Sequence, residues 1–222
     1  MFKVLINGAN GKMGKAIEQI IAANPACGLS VCIKRDNGQN IEGKFDLAID
    51  FSSPQGAAEA YAAAKNCGAA FLTGTTALSA DFINKLKEEK SIPVFYSPNV
   101  SIGVFLFTKL IKQAAQTFEG YAPAIHEIHH AQKKDAPSGT AKSLAAAINF
   151  APEKITYERT GTAAGTHILK LTSPSNDEEI ILTHKALDRK LFAASAVKIA
   201  AWLVKQKPGF YDMNLFTESL KK

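Results

Sequence analysis

The chain opens on FKVLIN, GANGKMG and KAIEQIIAA, an apolar run, a glycine-rich turn and a helical stretch within residues 2–23. Residues 2–7 read as a strand buried on both faces, because the run is short and nearly all apolar. From Lys15 to Ala23 apolar side chains recur at helical spacing. Between them Gly8, Gly11 and Gly14 set a G-x-x-G-x-x-G turn rather than the commoner G-x-G-x-x-G. A strand, a glycine turn and a helix N-terminus form a pyrophosphate site. Free backbone N–H groups and the helix dipole point at the anion, and glycine leaves room for its approach. A plain tight turn is the simpler alternative. The flanking strand and helix favour the nucleotide.

The alternation continues for a hundred residues. LSVCI ends a second strand at Ile33, FDLAIDFSS (45–53) reads as a third, and a helix runs through PQGAAEAYAAAKNCG. GAAFLTGTT (68–76) is a fourth strand, DFINKLKEEK an amphipathic helix, and IPVFYSPNVS a strand ending near Asn99. Strands alternating with helices predict an α/β fold, a Rossmann-like doubly wound parallel sheet. Ligands of such sheets sit at the carboxyl ends of the strands, where Ser52, Thr75, Thr76, Ser97, Pro98 and Asn99 fall. After Ile33 come Lys34, Arg35 and Asp36. An acid here suits the ribose 2′-OH of NADH, but two cations come first and favour the 2′-phosphate of NADPH. The alternative is a solvated loop. NADPH is therefore the expected cofactor, with NADH also accepted.

Tyr61 and Lys65 match the Tyr-x-x-x-Lys of short-chain dehydrogenases, some of which share the glycine spacing. The pair stands on the helix after an early strand, too soon for that fold, and an alanine-rich helix produces such a match by chance.

Bulk properties exclude other classes. The charge is +6, with Lys+Arg 26 against Asp+Glu 20, but the lysines are dispersed and many sit beside acids, as in NKLKEEK. No basic stripe points to nucleic acid, and a mild positive field suits small anions. No apolar run is long enough to span a bilayer, and the N-terminus lacks a signal-peptide layout. Cys27, Cys32 and Cys67 are odd in number and lack metal or C-x-x-C spacing. A reduced cytoplasmic protein with no metal site is expected.

The second half gathers the chemistry. VFLFTKLIKQAAQTF makes an apolar helix after Gly103, and YAPAIHEIHH alternates like a strand, with Ile125, Glu127 and His129 on one side. There follows HHAQKKDAPSGTA (129–141). Asp135 stands where an N-cap belongs, Pro137 suits a first turn, and Gly139 and Thr140 leave N–H groups at the positive end of a helix. A helix N-terminus for one carboxylate, Lys133 for another charge and a histidine for a proton make a carboxylate receptor with an acid attached. A well-capped helix behind a solvated loop is the bland alternative for any one of these residues.

HHAQKKDAPSGTA resembles the signature of the dihydrodipicolinate reductase family. GANGKMG is similar to that family's cofactor turn, DFSSP and TGTT to its next loops, and SPNVSIGV to its interdomain segment. RTGTAAGTH, ILTHKALDRKLFA and KPGFYDMN resemble later blocks in the same order. The resemblance implies His129 as proton donor, Lys133 as a second catalytic cation, and His130, Ser138, Gly139 and Thr140 as substrate-binding residues. It implies a cofactor lining of Gly8, Ala9, Asn10, Gly11, Lys12 and Met13, of Gly74, Thr75 and Thr76, and of Ser97, Pro98, Asn99 and Val100. It further implies reduction of a small cyclic imine dicarboxylate in lysine and diaminopimelate biosynthesis, and a homotetramer. Val100, Phe105 and Ser195 depart from residues common in the family, outside the histidine block.

A dinucleotide-binding domain is thus expected over 1–102 and 208–222. An α+β domain over 103–207 is expected to bind substrate and tetramerise through an open mixed sheet. Its strands include ITYERT, THILKLTS and EEIILTHK. Two rivals remain: another nicotinamide reductase acting on an amino-acid-derived imine, and a catalytically silent NAD(P)H sensor. A sensor needs no acid beside an anion site.

Overall fold

The computed structural model describes residues 1–36 and 39–220. Along the chain come β1 (Phe2–Asn7), α1 (Lys12–Ala23), β2 (Leu29–Arg35), β3 (Leu47–Asp50), α2 (Pro54–Cys67), β4 (Ala70–Thr73), α3 (Ala80–Lys87) and β5 (Pro93–Tyr96). Then follow α4 (Ile102–Thr117), β6 (Ala122–His129), α5 (Gly139–Ala147), β7 (Thr156–Arg159), β8 (Gly165–Thr172) and β9 (Glu179–Ala186). The chain closes through α6 (Lys190–Leu203), β10 (Gly209–Tyr211) and α7 (Met213–Ser219). Two compact units result, Met1–Val100 with Phe192–Lys222, and Ser101–Leu191.

The first unit holds six parallel strands in the order β10-β5-β4-β3-β1-β2. The chain moves from β1 outward to β2, then returns to lay β3 on the other side of β1. That reversal makes the switch point where ligands bind in such sheets. The central strands β3 and β4 are buried at every position, apolar until Asp50 and Thr73 at their carboxyl ends. Ala57, Ala60, Tyr61 and Ala64 of α2 pack with Leu5, Ala48 and Phe71 of the sheet. Tyr61 and Lys65 both turn to Glu89. The Tyr61 hydroxyl donates to its carboxylate, and Lys65 Nζ lies 2.9 Å from it. The dehydrogenase-like pair is thus part of a packed polar cluster.

The second unit is a mixed sheet in the order β7-β6-β8-β9, with β6 parallel to β7 and antiparallel to β8. Phe107 and Ile111 of α4 and Ala141, Leu144 and Ala145 of α5 pack against Ile125, Leu169 and Leu171 of the sheet. Cross-strand partners share a face. The rows Ile125, Leu169, Leu182 and Glu127, His167, His184 therefore lie side by side on the helix-covered face.

Two sequence expectations change here. The N-cap of α5 is Ser138, whose hydroxyl accepts from Ala141 N–H at 3.1 Å, and not Asp135. Asp135 stands too far ahead of the first turn and accepts instead from Lys133 Nζ at 2.7 Å, while Pro137 lies outside the helix. Residues 192–207, expected in the second domain, group with the first unit. Ala193, Ala196, Ile199, Ala200 and Leu203 of α6 are all buried.

Candidate active site

In the first unit the turn after β1 carries Gly8–Gly11. Gly8 has φ +82°, and a Cβ there would lie 2.4 Å from the Phe51 carbonyl oxygen, so only glycine fits. Serines cap α2, α3, α4 and α5, whereas α1 opens on Gly11 with no side-chain cap and no acid in its first turn. Gly11 and Lys12 are exposed, Met13 half-buried and Ala9 buried. The amides at this helix start fit an anion such as a nucleotide pyrophosphate.

The loops around this turn are tied by one carboxylate. Asp50, at the end of β3, is buried. Its Oδ1 accepts from Asn7 Nδ2 at 2.6 Å and Ser52 Oγ at 2.5 Å; its Oδ2 accepts from Thr73 Oγ1 and Thr75 Oγ1, each at 2.7 Å. Ser52 N–H donates to Thr75 Oγ1 at 2.9 Å. Asp50 therefore holds the ends of β1, β3 and β4 together, with Gly74 and the exposed Thr76 beside them. Farther along, Ser97 Oγ donates to the Asn99 carbonyl at 2.7 Å. Pro98 is exposed and Val100 buried.

The cations after β2 take unexpected positions. Arg35 is only 3% exposed. Its Nη1 donates to Asn7 Oδ1 at 2.6 Å, its Nε to the Gln39 carbonyl at 2.7 Å, and its Nη2 to Glu59. Lys34 is exposed and pairs with Glu18 at 3.1 Å. Asp36 turns to the glycine loop, accepting from Asn10 N–H at 3.0 Å and from the Asn10 side-chain amide.

In the second unit β6 delivers Glu127 and His129 to the covered face, as its alternation predicts. The following loop is pinned by His130 N–H to the Ala163 carbonyl at 2.9 Å, and Thr160 N–H donates to the His129 carbonyl at 2.8 Å. Glu127 is completely buried. Its Oε1 accepts from Ser138 N–H and Arg159 Nη2, each at 2.8 Å, and its Oε2 accepts from the Ser138 hydroxyl. Burial opposes the charge, yet these donors hold the Glu127 carboxyl below the usual range. Ser138, expected to bind substrate, has its hydroxyl engaged by Glu127 and the helix. Gly139 is exposed and Thr140 half-buried at the start of α5.

His129 Nδ1 lies 3.4 Å from Glu127 Oε2, and His167 Nε2 lies 3.9 Å from the same oxygen. The two rings meet edge to face, with centroids 5.2 Å apart. Burial is the main force pulling the His129 pKa down. Glu127 and Asp135 oppose the fall, and Lys133 and Arg159 add to it. His167 is pushed to about 4 by burial, with His129 adding to the effect. Three donor atoms of Glu127, His129 and His167 lie within 4.8 Å. Both Glu127 oxygens already accept hydrogen bonds, and the adjacent Arg159 guanidinium opposes a dication between these groups.

The structure thus brings His129, His130, Lys133, Ser138, Gly139 and Thr140 into one strand end, loop and helix start. Sequence reasoning missed Glu127, Arg159, His167 and His184 as members of this cluster. Glu127 carried one signal, its place two residues before His129 in the same strand phase. The others depend on cross-strand register.

Residues 2–100 match the profile described as "Dihydrodipicolinate reductase, N-terminus", and residues 103–216 that described as "Dihydrodipicolinate reductase, C-terminus". The chain belongs to the dihydrodipicolinate reductase family. A 4-hydroxy-tetrahydrodipicolinate reductase of Campylobacter jejuni subsp. doylei is 34% identical over 248 residues, covering 100% of this chain and 98% of its own. One of Bdellovibrio bacteriovorus is 36% identical over 230 residues, covering 99% and 98%. The solved dipicolinate-bound dihydrodipicolinate reductase from Paenisporosarcina sp. TG-14 shares the fold at TM-score 0.77 and 20% identity, covering 97% of this chain and 99% of its own. Family membership makes the chain an oxidoreductase with a nucleotide-binding first domain. No helix among the described residues is long and apolar enough to cross a membrane.

Proposed function

We propose that this protein catalyses the NAD(P)H-dependent reduction of 4-hydroxy-tetrahydrodipicolinate to tetrahydrodipicolinate, the step named by its relatives, in lysine and diaminopimelate biosynthesis. The observation that carries the reading is the convergence of His129, Lys133 and the α5 N-terminus on one loop of the second unit. The first unit, Met1–Val100 with Phe192–Lys222, is read as the dinucleotide domain, and Ser101–Leu191 as the substrate and assembly domain. A bound nicotinamide supplies the hydride. The amides of Gly139 and Thr140, with His130, hold the substrate carboxylates, and Lys133 adds positive charge where negative charge develops. His129 delivers the proton that completes the reduction. The glycine turn, Ser52, Gly74–Thr76 and Ser97–Val100 orient the cofactor.

Both nucleotides are read as usable. Lys34 supports a modest NADPH preference, because Arg35 is held inward by Asn7, Gln39 and Glu59. A homotetramer in the cytoplasm completes the proposal, supported by the family resemblance.

Loss of absorbance at 340 nm on adding freshly made substrate tests the activity. His129→Gln should lower turnover about 10²–10⁴-fold with cofactor binding nearly intact. Lys133→Ala should be severe and Lys134→Ala mild. Near-normal turnover in His129→Gln, or the opposite lysine ranking, would remove these roles.

A further inference from the structure

A completely buried carboxylate beside the candidate proton donor calls for an explanation. Burying an unpaired carboxylate costs several kcal/mol, so such groups persist only with full hydrogen bonding. Glu127 has donors from the Ser138 amide and hydroxyl and from Arg159 Nη2. These explain how the charge is tolerated. They do not explain why two imidazoles face the same oxygen. His129 Nδ1 stands 3.4 Å from Glu127 Oε2 without a hydrogen bond to it or to any other group, and both nitrogens of His167 are likewise buried and unpaired.

The far side of the His129 ring is equally constrained. Gly165 has φ +152°, and a Cβ there would lie 2.9 Å from His129 Nε2. Glycine at 165 therefore keeps the space beside Nε2 open, while Glu127 faces Nδ1. His167 closes the ring's edge. This arrangement distinguishes the two nitrogens of one imidazole.

We propose that Glu127 is a positioning residue for the proton-transfer site: it accepts the His129 Nδ1–H, fixes the ring's tautomer and orientation, and leaves Nε2 to carry the transferable proton. A small rotation brings 3.4 Å to hydrogen-bond length. Arg159 and the Ser138 cap hold the carboxylate in place, so α5, which starts the candidate carboxylate site, and the acid are oriented by one residue. The groups facing His129 are Glu127 on its own strand, Lys133 and Asp135 in the following loop, Arg159 on β7 and His167 on β8.

The proposal rests on the reading of His129 as the acid, and its test separates the two. Glu127→Gln keeps a carbonyl oxygen for the Ser138 amide and Arg159, so the cap is retained, but removes the negative charge. Turnover at pH 7 should fall about 10–100-fold with the cofactor KM unchanged. A carboxylate favours the imidazolium form, so in Glu127→Gln the alkaline limb of the kcat profile should move to lower pH. Adding Glu127→Gln to His129→Gln should cause little further loss. An unchanged pH profile, or losses that multiply in the double variant, would overturn the positioning role and leave a structural one. Imidazole ¹⁵N NMR on the wild-type protein is a second measurement that needs neither substrate nor a folded variant. Neutral His129 protonated at Nδ1 supports the pairing, and protonation at Nε2 refutes it. A wild type that leaves NAD(P)H unoxidised with substrate counts against the reductase reading alone, because the NMR result still decides the pairing.

Discussion

At His167 the sheet buries an imidazole against a second imidazole, and the proton is the casualty. Burial, with His129 alongside, pushes its pKa to about 4 from an ordinary value near 6.5. Between those two values the unfolded chain takes up a proton that the folded chain refuses. The neutral ring's contribution is therefore complete above about pH 6.5 and is lost as pH falls toward 4. The full span is worth up to about 3 kcal/mol at about 1.4 kcal/mol per unit, and burial shifts His184 the same way. Urea unfolding should accordingly show a lower midpoint at pH 5 than at pH 7, with the difference reduced in His167→Leu. A variant that keeps the whole pH dependence would assign it elsewhere. None of this was legible in the sequence. His167 lies 38 residues beyond His129 by number, and only the register Glu127↔His167↔His184 brings them together.

At the scale of elements, the pattern of apolar runs was a sound guide because strand and helix periods differ and glycine turns separate them. All the strands named from the sequence form, and the first unit is the parallel sheet that the alternation predicts. Local chemistry was less transparent. Ser138 caps α5 because its hydroxyl sits immediately before the helix, and the more conspicuous Asp135 is drawn to Lys133. Arg35 was read as a phosphate ligand because it follows a strand, yet strand phase turns it inward to Asn7 and Glu59. The cofactor prediction narrows accordingly. Lys34 remains exposed beside Glu18, and an exposed ion pair is worth up to about 1 kcal/mol, a severalfold effect. NADPH should show a kcat/KM advantage of less than about tenfold at low ionic strength, shrinking with salt and reversing in Lys34→Glu. Equal or better use of NADH by the wild type, insensitive to salt, would sink the assignment to Lys34.

At the scale of the whole molecule, sequence order was a poor guide to which unit a segment joins. The helix α6 follows the second sheet directly, yet Phe192 onward belongs with the first unit, where β10 adds to β5. Parallel pairing and buried alanines decide that membership, and neither carries a label in the linear chain. The second unit leaves a different question at its surface. α4 and α5 cover one face of its sheet, while β9 is an edge strand whose outward side chains include Glu179, Thr183, Lys185 and Ile181, the last 56% exposed. An eight-residue edge strand with an apolar side chain in its open row invites pairing, and a second copy of the same sheet is the occupant that the proposed tetramer supplies. Sedimentation of the wild type should give a tetramer. Ile181→Glu buries a charge in that contact without disturbing the α4–α5 face, so it should dissociate the assembly into smaller species while the monomer keeps its secondary structure. A monomeric wild type, or a tetramer indifferent to the substitution, would place assembly on another surface or remove it from the account.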